Sequence, residues 1–441
     1  MKSSLAAGFG ALFILAPSAA WSDTLEEAIA RALAGDPSIA SVRTNLDAAR
    51  ANVHAAQAER WPTLSASVGY SSNWSESGGG GVVVNPDGSV TNTGGGGGTT
   101  NAGTAGVNVS ETLFAGGRIG AGIAQAKAQA AQTAASVRGQ EDALIVAVVA
   151  AYTGVAYGEE AVRIRRETVE RFLGEVDAAN ARFEAGAATR TDVYQAQAQL
   201  DAARAALSSA QADLAASRAT YARRVGAPPG TLEAAKAPVV PASLDQALTL
   251  AQANATVIQA SAAGVNAAKA RTRSAYAGFL PSLTVSAAGT RRGDDGFDNF
   301  DNDSSSVSAR LSIPLFTFGR DGAAVSAAKA NERGARYSLD DSVRAAEEAT
   351  TQAWNRLEAA KLVVESNRSQ LEAASFAARG AELERREGLR TQLDVLSQLQ
   401  NERDAALALA QAQRDLVTSS YALLQAMGVM PRPTLSGNTQ P

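Results

Sequence analysis

The chain has 441 residues with 40 basic and 44 acidic side chains, a net charge of −4, one histidine and no cysteine. Without cysteine it carries no lipobox anchor, disulfide or thiolate metal site. A single histidine excludes a His-rich metal cluster, and mild acidity argues against a nucleic-acid partner. Aromatic residues make up only 5% of the chain, and Leu, Ile, Val and Phe are thin for this length, so a single large globular core is not expected; long helices packed through small residues need less apolar bulk.

The first 22 residues read as a secretory signal: Lys2 is the charged start, Leu5 to Ala16 is apolar, and Ser18 to Ser22 offers small-residue cleavage sites. The apolar core is too short to span a bilayer; the alternative is an N-terminal anchor. No later stretch has about 20 consecutive apolar residues, so no transmembrane helix is expected. Thr24 to Glu59 has helical spacing (Leu25, Ile29, Leu33, then Val42, Leu46, Val53), interrupted at Gly35-Asp36-Pro37. After Trp61-Pro62 the period becomes two: Leu64, Ala66, Val68, Tyr70 and Trp74 alternate with Ser65, Ser67, Gly69, Ser71 and Asn73, the pattern of a strand. Ser75 to Gly103 is rich in Gly, Thr and Asn and reads as a long flexible loop. A second alternating segment follows, with Val107, Val109 and Leu113 apolar.

From Arg118 to Gly226 there is no proline, and the run breaks once, near Gly186. Ile119 to Ala185 as one helix would be about 100 Å long. Val148, Val155, Val162, Val169, Val176 and Phe183 are spaced by seven, as are Val193, Leu200, Leu207, Leu214 and Tyr221. That repeat implies a left-handed supercoil with neighbouring helices.

Past a proline-rich linker at 227–242 the chain repeats itself. Ser243 to Ser286 matches Thr24 to Ser67 at an offset of 219, as in Leu25/Leu244, Ala28/Ala247 and Pro62/Pro281. From Leu113-Phe114/Leu315-Phe316 onward the offset is 202, through Gly117-Arg118/Gly319-Arg320, Gly186/Gly388, Thr189/Thr391, Asp192/Asp394 and Gly226/Gly428. The domain reading is therefore a signal at 1–22, a first repeat at 23–226, a linker at 227–242, a second repeat at 243–428 and a flexible tail at 429–441. The expected fold class is mainly α with β, internally duplicated, with four strands near 62–75, 104–115, 281–291 and 305–316.

Each strand is about long enough to cross a bilayer when tilted, which takes about 9–11 residues. The alternative is a water-soluble antiparallel sheet with one buried face, which has the same period. Four strands cannot close a membrane barrel, whose smallest members have about eight, and an open edge in lipid leaves backbone groups unpaired at several kcal/mol each. Strands in a membrane would therefore require several chains per barrel. Leu25–Arg60 and Thr191–Gly226 would each be about 54 Å as helices, and end to end they match one long helix.

At this point the sequence resembles the TolC-type outer-membrane efflux and secretion proteins. The residues carrying the resemblance are Thr24-Leu25-Glu26-Glu27-Ala28, the strand entries Trp61-Pro62-Thr63-Leu64 and Leu280-Pro281-Ser282-Leu283, Leu315-Phe316 with Gly319-Arg320, and the hairpin motifs running from Gly186 to Asp192-Val193 and from Gly388 to Asp394-Val395. The resemblance spans essentially the whole chain after the signal. It implies a homotrimer: a 12-stranded β-barrel in outer-membrane lipid above a coiled-coil periplasmic tunnel of 12 helices. It also implies two protein partners, a periplasmic adaptor (membrane fusion protein) and an inner-membrane pump of RND or ABC type, serving drug efflux or type I protein secretion.

In that family the hairpin tips close the tunnel and the second hairpin carries inward acidic rings. Asp394 holds that position here, but Ser397 stands where many members have a second acidic residue. Arg385 stands where related proteins have a tyrosine that bonds to the first-repeat aspartate. The resemblance thus suggests a latch of Arg385 with Asp192 and Arg390 across the tip; the plain alternative is that each charge is a solvated helix-turn residue. It also places adaptor-docking grooves at Ala185-Gly186-Ala187 and Glu387-Gly388-Leu389, although a glycine there is explained by turn geometry alone.

No enzymatic constellation is present. His54 lies on a polar helical stretch, Glu159-Glu160 and Glu347-Glu348 read as solvated faces, and no phosphate-binding Gly-Lys-Ser/Thr loop occurs, so no cofactor is expected and energy must come from a partner. Asp294, Asp295, Asp298, Asp301 and Asp303 cluster in one loop, but their spacing fits no defined calcium loop. Two functions remain: a passive conduit for export, and a non-conducting coiled-coil tether between envelope layers, which would have no use for duplicated alternating strands.

Overall fold

The computed structural model describes residues 22–75, 81–93, 98–293, 295–296 and 302–433. The expected signal up to Trp21, and Asp294, Asp298 and Asp301 of the acidic cluster, lie outside these residues. The elements run β1 (Ser22–Asp23), α1 (Leu25–Gly35), α2 (Pro37–Ala58), β2 (Thr63–Ser75), β3 (Gly81–Val84), β4 (Val90–Thr93), β5 (Gly98–Ala115), α3 (Arg118–Glu184) and α4 (Arg190–Val225). They continue with β6 (Thr231–Leu232), α5 (Leu244–Asn254), α6 (Thr256–Tyr276), a 3-10 turn at Ala277–Phe279, β7 (Ser282–Gly293), β8 (Asp295–Gly296), β9 (Asn302–Ser312), α7 (Arg320–Arg386) and α8 (Gln392–Met427). The α3 bounds shifted by 202 become those of α7, those of α4 become those of α8, and the α1 bounds shifted by 219 become those of α5.

Local chemistry sets these boundaries. Thr24 Oγ1 accepts the Glu27 amide at 3.2 Å and Ser243 Oγ accepts that of Gln246 at 3.3 Å, so α1 and α5 start on hydroxyl caps. Asp36 ends α1 and accepts the Ser38 amide at 2.7 Å as α2 begins. Gly226 and Gly428 close α4 and α8 in the left-handed conformation, with φ of 85° and 69°.

The chain divides into two compact units. One comprises Met1–Arg43, Ala135–Ile258 and Ser342–Pro441. Its core follows the seven-residue spacing: Val148, Val155, Val162 and Val176 of α3 are buried, as are Leu200, Leu214 and Tyr221 of α4, and Leu357, Val364 and Leu423 of the second hairpin. One stretch of α3 is long and apolar enough to cross a membrane by length and composition, yet more than half of it is buried inside the fold. This stretch is packed core, and the expectation from runs of consecutive apolar residues did not register it.

The second unit comprises Thr44–Ala134 and Gln259–Asp341 and carries the main sheet, an antiparallel path β2-β5-β7-β9 with β8 attached to β5. β2 meets β5 with Thr63 opposite Ser110, β5 meets β7 with Ser110 opposite Ser286, and β7 meets β9 with Ser282 opposite Ser312. Shifting β2 by 219 and β5 by 202 converts the first hairpin register into that of the second. Within the described residues of this sheet, β2 and β9 each have one unpaired edge. The apolar side chains Leu64, Val68, Tyr70, Trp74, Val107, Val307 and Leu311 are all exposed. Within this one chain that face is left uncovered.

Three boundaries differ from the sequence reading. The fourth strand was expected to reach Phe316, but β9 stops at Ser312, and Ile313, Leu315, Phe316 and Phe318 stand exposed with no strand beside them. Part of the stretch read as loop is ordered: β3 and β4 pair as a hairpin around Gly88, and β5 begins at Gly98. Of the tail expected to be flexible at 429–441, only 429–433 lie within the described residues; there Met430 is buried, and Arg432 donates to Glu141 Oε2 at 2.9 Å and Asp142 Oδ1 at 2.8 Å. Burial raises the Asp142 carboxyl above its ordinary pKa, against the lowering pull of Arg432.

Candidate functional site

The two hairpin tips lie in the first unit and are built alike. α3 ends in a left-handed Gly186 with φ of 72°; its amide bonds to Phe183 O and the Ala187 amide to Arg182 O at 2.7 Å. α7 ends in the same way at Gly388, φ 76°, with the Leu389 amide on Glu384 O at 2.8 Å. This double bond across a glycine satisfies the last carbonyls of each long helix and reverses the chain within five residues. Each returning helix then starts on a reciprocal cap: the Thr189 hydroxyl accepts the Asp192 amide while Asp192 accepts from Thr189, and Thr391 with Asp394 does the same.

Those caps use the carboxylates assigned to the gate. Asp192 Oδ2 takes the Thr189 amide and hydroxyl, both at 2.8 Å, and Asp394 Oδ2 takes the Thr391 hydroxyl at 2.8 Å and its amide at 3.2 Å. The bonds hold both carboxyls below the ordinary aspartate range; the leading cause at Asp192 is the Thr189 amide, and at Asp394 the Thr391 hydroxyl. The expected latch is not formed within one chain. Arg390 pairs with Glu384, and Arg385 Nε is buried without a hydrogen-bond partner. A threonine three residues ahead offers each aspartate two donors, and so short a loop costs little entropy to close.

A contact that the sequence reading missed ties the two tips together. Arg182 Nη1 on α3 donates to Gln392 Oε1 at the start of α8 at 2.8 Å, and Gln392 Nε2 donates to Glu175 on α3. Gln392 occupies the position that Arg190 holds in the first hairpin, and that departure between the repeats was the signal available. Beneath it Phe172, Val176, Ala179, Ala196 and Leu200 pack with Ala378, Ala381, Val395, Leu396 and Leu399, one apolar cluster drawn from both hairpins. Farther along, Arg403 approaches Glu167 at 3.5 Å and Arg165 approaches Asp404 at 3.9 Å.

The residues assigned to docking remain on the surface. Ala185, Gly186, Ala187, Glu387, Gly388 and Leu389 are all exposed, as is Ser397 one turn beyond the Asp394 cap. Among the described residues no group of His, Asp and Glu side chains is arranged to hold a metal ion.

Comparisons with known proteins agree with this architecture. A family model described as outer membrane efflux protein matches residues 28–227 and 247–429. The outer membrane efflux protein BepC of Brucella suis is 34% identical over 333 residues, spanning 74% of this chain and 72% of BepC. The outer membrane protein TolC of Vibrio cholerae is 27% identical over 446 residues, 94% of this chain and 92% of TolC. Among solved structures, the open state of the Neisseria gonorrhoeae MtrE outer membrane channel matches with a TM-score of 0.76 at 21% identity, over 93% of this chain and 91% of that one, a likeness of fold.

Proposed function

The chain belongs to the outer membrane efflux protein family, and from that premise we propose that three copies form the passive exit duct of a tripartite export system, gated at the helical tips. The observation that carries this reading is the main sheet, whose outer strands β2 and β9 carry exposed apolar side chains and end the path in unpaired edges. In lipid each unpaired backbone group costs several kcal/mol, so such a sheet needs neighbours on both sides. Three copies of four long strands supply a closed ring of 12, within the range of membrane barrels.

On this reading the duct supplies no energy of its own. The exposed Gly186 and Gly388 turns receive a periplasmic adaptor, and an inner-membrane pump selects the cargo and drives it. The Arg182–Gln392–Glu175 contact holds the two hairpins of one chain together at the closed tip; opening requires the hairpins to part there. Gel electrophoresis tests the assembly: the purified protein should run as a detergent-resistant trimer when unheated and, after heating, as a monomer lighter than the 45.1 kDa full chain by the cleaved signal. A monomer in both lanes contradicts it.

A further inference from the structure

Resting on the trimeric reading above, we propose that β9 of one copy pairs with β2 of the next in one definite register, Ser312 opposite Ser67 and Leu311 opposite Val68, with Phe318 wedged against the neighbour's Trp61. The seam that the chain makes with itself sets this register. β5 and β7 belong to different repeats and pair with Ser110 opposite Ser286. β9 is the counterpart of β5 at the 202 offset, and β2 is the counterpart of β7 at the 219 offset. The same two offsets already convert the β2·β5 register into that of β7·β9. Applied to the β5·β7 seam, they place Ser312 opposite Ser67.

The side chains suit that register. On the apolar face Leu311 meets Val68 and Ala309 meets Tyr70; on the polar face Ser312 meets Ser67, Ser308 meets Ser71, and Arg310 falls opposite Gly69, which leaves it room. A slip by one residue would put every side chain on the wrong face. A slip by two would keep the faces but lose the correspondence with the intrachain seam. The register also accounts for the early end of β9: the counterparts of Ile313 and Phe316, Glu111 and Phe114, are paired through β7, and in β9 that partner is the second copy.

At the end of the seam the two repeats differ. Gly116, in the left-handed conformation at φ 60°, sits so close to the next repeat that a Cβ there would lie 2.6 Å from Leu280 Cβ. Its counterpart is Phe318, which keeps the left-handed conformation at φ 49° despite its bulk. Phe318 is 90% exposed and in edge contact with Phe316. The counterpart of Leu280 is Trp61, 72% exposed. Two aromatic rings replace a glycine and a leucine, so the seam between copies is wedged wider at this level than the seam within a copy.

Cysteine mapping tests this, because the natural chain has no cysteine. Directly opposed residues on antiparallel strands lie within disulfide reach, and consecutive pairs alternate between closer and wider spacing. Two double variants, Ser312→Cys with Ser67→Cys and Leu311→Cys with Val68→Cys, therefore include one close pair. Mild oxidation of the full-length protein in detergent should convert at least one of them to covalent dimers and trimers on a denaturing gel. Single variants, and the shifted pairs Ser312→Cys with Ser65→Cys or with Gly69→Cys, should stay monomeric. A native trimer that cross-links at a shifted pair, or at none, overturns the register while leaving the trimeric reading intact. A protein that is monomeric in detergent overturns both.

Discussion

Gln392 at the second tip accepts a 2.8 Å hydrogen bond from Arg182 of the first hairpin and returns one to Glu175. Two residues 210 positions apart thus join the hairpins at the place where a channel of this family would close.

Gln392→Leu keeps the side-chain volume and removes both bonds. With Arg182 and Glu175 left part-buried, the contact between hairpins should weaken by roughly 1–3 kcal/mol. Limited proteolysis should then cut the Gly186 and Gly388 turns faster than in the natural protein. An unchanged cleavage rate would mean that the apolar cluster below carries the contact alone.

The reciprocal caps give the tips a pH dependence of definite sign. The carboxyls of Asp192 and Asp394 are held below the ordinary value of 3.8 in the folded state. Their contribution is therefore complete above that value and is lost as pH falls below it, through the lowered folded pKa. Amide exchange at the starts of α4 and α8, corrected for its intrinsic pH dependence, should be flat from neutral pH to about 5 and rise at lower pH. Thr391→Ala should release the start of α8 already at neutral pH, a loss of about 1 kcal/mol.

The clamp at Arg432 acts in the opposite sense. Asp142 is 2% exposed, and burial raises its carboxyl, so the ionised form is the strained one; its contribution to stability is present at low pH and lost as pH rises through the folded pKa. Asp142→Asn should therefore be tolerated at neutral pH. Arg432→Ala instead removes the guanidinium bonded to Asp142, leaving it the electrostatic pull of Arg138, and frees one side of Glu141, which Arg43 also holds at 2.8 Å. Its cost should be roughly 2 kcal/mol, below that of a fully buried pair, because the Arg432 side chain is 40% exposed. Thermal melts of the two variants check the contrast, and an equal loss in both would contradict it.

Gly116 and Gly117 separate crowding from backbone strain. Both have positive φ, but a Cβ at Gly116 meets Leu280 and Ala277, while one at Gly117 meets open space. Gly117→Ala should cost about 1 kcal/mol and Gly116→Ala about 3 kcal/mol or more, since it adds a steric clash to the strain. Denaturant titration of the assembled protein reads the difference.

What the sequence disclosed depended on whether the cause was periodic or local. The buried line through Val148, Val155 and Val162 was legible because a helical seam repeats every seven residues, and the tips were legible because a left-handed turn selects Gly186 and Gly388. The strands were legible from alternation, but alternation alone does not say whether the chain covers its own apolar face; Leu64, Val68 and Trp74 are left exposed. The Arg182–Gln392 bond left only one departure between the repeats, Gln392 where the first hairpin has Arg190, and the Arg432 clamp left no pattern, since each joins residues hundreds of positions apart through single side chains. Asp192 and Asp394 were read by their place in a family motif, and the family motif gave no sign of the bonds that the nearby threonines make to them. β9 stops short because strand pairing requires a second strand, and the partner expected there belongs to another copy.

An exit duct must conduct, and single-channel recording on the purified protein in planar bilayers reads this. The natural protein should give discrete conductance steps, small and infrequent while the tips are closed, and Gln392→Leu should give larger or longer openings. A protein that inserts as a trimer yet passes no ionic current, in either form, would contradict the account and leave the non-conducting tether as the reading of its long helices.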